Sequence, residues 1–148
     1  MNAEVILARL RRFLLGLAAF ICVGTMVELA LAKHWEGPTQ LLPFLLAGLS
    51  LVAIGAVLIN PQPGRLRLLR WITTVTLAGS LFGVFEHLEH NIEFALEIRP
   101  NAAVGDVFLE ALAGGNPLLA PGILAFMAVL ALAATYYHPA LQKQSLHS

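Results

Sequence analysis

The stretch Trp71–His90, WITTVTLAGSLFGVFEHLEH, decides how the chain is read. Its first fifteen residues, Trp71 to Phe85, carry no charge, and Glu86, His87, Glu89 and His90 follow at once. A membrane span needs about 20 mostly apolar residues, each rising 1.5 Å, to cross roughly 30 Å of hydrocarbon. This segment is therefore either a short span or one that carries carboxylates and imidazoles into the bilayer. Nothing in it alternates as a barrel strand would. A helix that closes its own backbone hydrogen bonds is the form lipid tolerates.

Three other stretches agree. Phe13–Ala32 is twenty residues with one charge, Glu28, while Leu41–Ile59 (nineteen) and Pro117–Tyr137 (twenty-one) have none. The sequence thus predicts an all-α integral membrane protein. It is a single transmembrane domain over residues 1–148, with spans at approximately 13–32, 41–59, 69–90 and 117–137. Short links rich in Gly and Pro, at 33–40 and 60–70, make neighbouring helices antiparallel in a four-helix up-down-up-down bundle. The longer connection from Asn91 to Asn116 holds a short amphipathic helix. Val104, Val107, Phe108, Ala111 and Leu112 are its apolar positions, Asp106 and Glu110 its polar ones, and Gly114-Gly115 ends it. Such a segment is expected on the membrane surface, capping the bundle.

Composition supports the same class. Of 148 residues, 58% are hydrophobic and 12% charged, against about 25% charged in a soluble domain. That excludes an ordinary soluble globule, a disordered chain and a nucleic-acid-binding tail. The lone Cys22 excludes an internal disulfide, a cysteine zinc site and a CxxCH haem attachment.

Charge distribution sets the orientation. Arg9, Arg11, Arg12, Arg65, Arg67, Arg70 and Lys143 lie on one side of the spans, and only Lys33 and Arg99 on the other. The positive-inside rule then places both termini in the cytoplasm of a cell whose inner membrane holds the protein. Every acidic residue except Glu4 lies toward the outer side. Trp35, Trp71, Tyr136 and Tyr137 fall at span ends, where aromatic belts form. Arg11-Arg12, an apolar run and Ala30-Leu31-Ala32 resemble a signal peptide with its cleavage site. The run is long for that role and Glu28 interrupts it, so the segment reads as a retained first span.

The chemistry concentrates in one place. Glu28 lies fifteen residues beyond Phe13, and Glu86 fifteen beyond Trp71, on two helices that both run outward. The two carboxylates are thus expected at one depth, about 22 Å from the inner boundary. His34 and His90 follow a turn or so further out. Gly79, Gly83, Glu86, His90, Glu93 and Glu97 fall within about 80° of one another on a helix. Their face, with Gly16 and Gly24 of the first helix, is expected to pack inward. Intramembrane carboxylates normally face a partner in the bundle interior, and no Lys or Arg is expected at this depth. Carboxylate and imidazole together suit a divalent transition metal such as iron, manganese, zinc or copper. Glu86 and His90, one turn apart, would chelate it, and Glu28 would close the site. His87, Glu89, Glu93 and His34 are further candidate ligands, and haem ligation by histidine is a lesser alternative.

Other readings compete. The di-iron Glu-x-x-His pairs and the HExxH and HxxEH zinc strings are absent. Glu89, Glu93, Glu97, Asp106 and Glu110 also read as a solvated acidic rim. No nucleophile–base pair or phosphate cradle stands out, which argues against a hydrolase or kinase. An enzyme here would be a metal-dependent one acting on a lipid-soluble or redox substrate. Two functions follow: a metal site for redox chemistry, metal handling or sensing, or an accessory or scaffold subunit of a larger membrane complex or homo-oligomer. Met26, Met127 and Cys22 read as filler. Thr73, Thr74, Thr76 and Ser80 should bond their own helix or a neighbour, and His138 and His147 lie near the inner surface.

Overall fold

Prolines and polar caps punctuate an otherwise apolar chain into helices. The computed structural model describes residues 2–145, so His147 lies outside the described residues. Helix α1 (Ala3–Leu31) begins where the Asn2 side chain accepts the Glu4 N–H, and ends before Lys33, whose φ of 53° leaves the helical region. Helices α2 (Pro38–Ile59) and α3 (Pro63–Ile98) each start on a proline. There its missing N–H is one the first turn leaves unpaired anyway. A short α4 (Val104–Ala111), then α5 (Leu119–Thr135) and α6 (Pro139–Ser145), complete the chain. Among the described residues there is no strand, so the fold is all-α as expected.

Three helices, α1, α2 and α3, are long and apolar enough to cross a membrane. Helix α5 is apolar but has 17 residues rather than the expected twenty-one. Its N-terminus is set back because Pro117 precedes it and Pro121 occupies its first turn. Its C-terminus stops because Tyr137 takes a φ of 44°. Helix α3 is the long one, with 36 residues spanning about 54 Å. It continues past the expected span end at residue 90 to Ile98, just before Pro100.

The four long helices form a closed ring of neighbours. α1 packs on α2 and α5, and α3 packs on α2 and α5, while α1 and α3 share no close approach among the described residues. Hydrogen-bonded pairs give the directions. Ser50 Oγ meets Thr76 Oγ1 at 3.1 Å and Arg65 Nη1 donates to Ala56 O at 3.1 Å, so α2 and α3 run antiparallel. Arg70 bonds Thr135 while His87 bonds Pro117, so α3 and α5 do too. The core holds Leu15, Ala18 and Cys22 of α1, Ala53, Ile54 and Val57 of α2, Leu66 and Leu69 of α3, and Leu124, Met127 and Ala131 of α5.

The inward face of α3 differs from the one the glycines suggest. Leu66, Leu69, Thr73, Thr76, Ser80 and Asn91 are buried and fall within about 80° of one another. The Glu86–His90–Glu93 face lies roughly 100° away. Gly79 and Gly83 do touch neighbours: an added Cβ would stand 3.0 Å from Leu46 Cδ1 of α2 at Gly79, and 3.2 Å from Pro121 Cβ of α5 at Gly83. Both lie on one flank of the buried stripe rather than at its centre. Gly16 and Gly24 face open space, so neither marks a contact within the chain.

At the end of the bundle where α1 begins and α5 ends, arginines close the helix C-termini. Arg70 donates through Nε to Thr135 Oγ1 (2.9 Å) and through Nη2 to Thr135 O (2.8 Å). Arg11 Nη2 donates to Tyr137 O at 3.1 Å, and Arg65 does the same for the end of α2. The last carbonyls of a helix lack partners and carry partial negative charge, which a guanidinium answers on both counts.

Candidate functional site

Helix α3 outruns its neighbours, and every candidate residue except Glu28 and His34 rides on that outer part. Glu86 and His87 are half-buried, whereas Glu89, His90 and Glu93 are exposed. His87 reaches the segment before α5, its Nδ1 lying 3.0 Å from Pro117 O. A carbonyl accepts only, so Nδ1 carries the proton there. His90 Nδ1 lies 2.8 Å from Glu86 O, one turn back on its own helix, which leaves Nε2 directed away from the backbone. His34 is half-buried in the α1–α2 turn.

Glu28 is not brought to this cluster. It is exposed on α1, off the face that buries Leu15, Ala18, Cys22 and Thr25. The ring places α2 and α5 between α1 and α3. A carboxylate from α1 therefore cannot complete a site with Glu86 and His90 inside this chain. Among the described residues no three His, Cys, Asp or Glu side chains stand together in a metal-ligating group.

Two open grooves flank the outer part of α3. One, of about 380 Å³, runs between His90, Glu93 and Glu97 on one wall and Gly115 and Asn116 on the other, with Asn91 at its floor. The second, of about 300 Å³, follows Phe85, Leu88, Glu89 and Ile92. Both are surface features bordered by carboxylates. The Arg99–Glu110 ion pair joins the end of α3 to α4 in the open, and such an exposed pair contributes little.

What builds this lobe is a residue the sequence reading passed over. Asn91 is buried, and its Nδ2 donates to Ala111 O and Asn116 O, both at 2.9 Å, while Oδ1 accepts from Asn116 N at 2.9 Å. One side chain thus ties the middle of α3 to the end of α4 and to the strand of chain leading into α5. Gly114 lies so close that a Cβ there would stand 2.5 Å from Asn91 Cγ. The Gly114-Gly115 pair therefore serves close packing as well as ending α4. The signal was available: Asn is a poor mid-helix residue, and Asn91 continues the line of Thr73, Thr76 and Ser80.

Of the four small polar residues singled out on α3, two bond as expected and two do not, Thr74 being exposed without a side-chain hydrogen bond among the described residues. Thr73 Oγ1 donates to Leu69 O (2.7 Å) and Thr76 Oγ1 to Ile72 O (2.9 Å). Ser80 Oγ is buried without a partner. Cys22 and Met127 are fully buried in the core.

Comparison with known proteins does not extend this description: no family model, no curated protein and no solved structure matches the chain.

Proposed function

We propose that the chain is an integral four-helix up-down-up-down bundle of an inner membrane, with both termini cytoplasmic, and that it serves as an accessory or scaffold subunit of a larger membrane assembly. The observation that carries this reading is the outer lobe. A span needs about 20 residues, yet α3 has 36 and is braced by α4 through a buried asparagine. A rigid extension of this kind presents a surface, and Glu89, Glu93, Phe94, Glu97 and Ile98 are exposed along it. Exposed Phe13, Phe20, Val52, Trp71, Val75 and Phe82 on the long helices suit lipid or neighbouring spans. On α4, Val107 and Ala111 face α3, while Phe108, Leu109 and Leu112 stay exposed beside them. This is the surplus apolar face of an interfacial helix.

The test is the size of the particle released from native membranes by a mild detergent. A particle much larger than one chain plus micelle is expected, and a particle of single-chain size would refute the reading. Orientation is checked separately with Asn101→Cys in a Cys22→Ala background, which an impermeant thiol reagent should label from outside the cell only.

A second reading has its own observation. The His90 Nδ1 contact with Glu86 O pre-orients Nε2 beside Glu93 on the groove wall, and metal-binding imidazoles are commonly held through their other nitrogen. A divalent transition metal would then bind His90, with ligands from outside this chain completing its shell, for metal handling, sensing or redox chemistry. Stoichiometric metal in the purified protein, lost in His90→Ala, supports that reading, and its absence from the wild type refutes it.

A further inference from the structure

We propose that the outward flank of α1 at Gly24 and Glu28 docks a transmembrane helix of a partner protein, one that carries an arginine or lysine at the level of Glu28. The proposal rests on the accessory-subunit reading and names where that subunit is held and by what chemistry.

Glu28 has no answer within its own chain. It is exposed and makes no side-chain hydrogen bond or ion pair among the described residues, where the Arg99–Glu110 contact is the sole salt bridge. Its level follows from the inner end of the bundle. Arg11 bonds the carbonyls of Tyr136 and Tyr137 beyond the end of α5, and in the proposed orientation this cluster of arginines lies near the inner boundary. Seventeen residues further along α1 is about 25 Å, inside a hydrocarbon layer of roughly 30 Å. Leu29, Ala30 and Leu31 still follow before the helix ends. An ionised carboxylate on the outside of a span at that level is disfavoured unless something pairs with it. Lys33 is held in the turn beyond α1 with φ 53° and does not pair with it.

The surface below Glu28 is shaped for a second helix. Gly24, one turn inward on the same flank, is exposed, and a Cβ there would meet nothing within 4 Å. Glycine at such a place lets another backbone approach closely. Phe20 and Leu31, exposed by 73% and 80%, border it as ridges. Close approach at Gly24 brings a basic side chain of the partner within reach of the carboxylate one turn above. Charge decides between occupants. A second copy docked symmetrically through α1 would set Glu28 against Glu28, which repels, whereas a helix with a cation neutralises the charge.

The experiment uses the full chain in phosphatidylcholine vesicles, with a donor fluorophore on Asn101→Cys in the Cys22→Ala background. Two synthetic single-span leucine–alanine helices carry an acceptor and differ only in having arginine or leucine at the level of Glu28. The arginine probe should bind roughly tenfold more tightly than the leucine probe. Glu28→Gln should erase that preference, and Gly24→Leu should weaken the binding of both probes. Helix content by circular dichroism shows that each variant is folded. Equal binding of the two probes, or a preference that survives in Glu28→Gln, overturns the proposal. So does self-association without probe that Glu28→Gln abolishes, which assigns the face to a second copy. Native particle size separates the two levels of argument. A large particle that Glu28→Gln leaves intact overturns the docking face and keeps the scaffold reading, whereas a single-chain particle in the wild type overturns both.

Discussion

Removing the Asn91 side chain should unfasten the outer lobe without unfolding the helices beneath it. Asn91→Ala deletes three hydrogen bonds. Their partners differ in what they lose. Ala111 is buried, but its carbonyl keeps the Gly114 N–H at 3.2 Å, so losing the Asn91 bond costs about 0.5–1.5 kcal/mol. Asn116 is exposed, and water can replace its two bonds, so each contributes only about 0.5–1 kcal/mol. The sum is roughly 1.5–3.5 kcal/mol of local stability, equivalent to an opening equilibrium about ten- to a few hundredfold more favourable.

Hydrogen exchange is the assay, because opening of one cooperative unit is read directly from its amides. Residues 104–116 should exchange faster by that factor, while the core segments of α2 and α5 around Ile54 and Met127 should hardly change. A double-mutant cycle sharpens the test. Gly114→Ala alone forces a Cβ to within 2.5 Å of Asn91 Cγ and should destabilise the lobe. In an Asn91→Ala background that clash is gone, so the two effects should be strongly non-additive. Unchanged exchange over 104–116 in Asn91→Ala, or additive effects in the cycle, would refute the claim that this side chain holds the lobe.

Other expectations follow from single contacts. Gly83→Leu drives atoms into Pro121, whose Cβ a bare Cβ already meets at 3.2 Å. It should cost about 1–3 kcal/mol in detergent melts, whereas Gly16→Ala, facing open space, should stabilise by up to about 1 kcal/mol. Arg70→Lys cannot reproduce the two-pronged grip on Thr135 and should lower the melting temperature, more so than Arg12→Lys. His138 has its pKa held below the ordinary value by burial, then by Arg11 and Arg70, and its Nδ1 accepts the Ala140 N–H, which requires that nitrogen unprotonated. The unfolded chain therefore takes up the proton first. Stability should be full above about pH 6.5 and decline as pH falls below it, and His138→Gln should flatten that slope in melts run from pH 7.5 to 5.

The sequence made the helices legible because length and apolarity decide them. The start of α2 at Pro38 and of α3 at Pro63, and the stops before Pro61 and Pro100, are backbone rules that act locally. The rotation of α3 was not legible. Gly79 and Gly83 were read as the centre of a packing face, and the acidic and histidine residues in line with them were carried inward by that assumption. In the structure these glycines touch α2 and α5 from one flank of the buried stripe. Thr73, Thr76, Ser80 and Asn91 occupy its middle. Small residues report where backbones come close, and in a ring of four helices that happens at the flanks, against each neighbour in turn. Small polar residues, able to satisfy themselves on their own helix as Thr73 and Thr76 do, were the better guide to the interior.

The same geometry changes what the charged residues mean. Matching Glu28 and Glu86 in depth suggested a shared ion, because depth was the coordinate that counting along a helix supplies. Position around the ring was the missing coordinate, and it depends on which helices are neighbours. With α1 and α3 diagonal, two carboxylates at one level belong to two different surfaces. His90 lines the groove beside Asn116, whereas Glu28 is exposed on α1, which shares no close approach with α3 among the described residues. An unpaired carboxylate in a span must be answered by something. On the membrane reading proposed above, the interior of the chain does not answer it, and a neighbouring helix is the place to look for the answer.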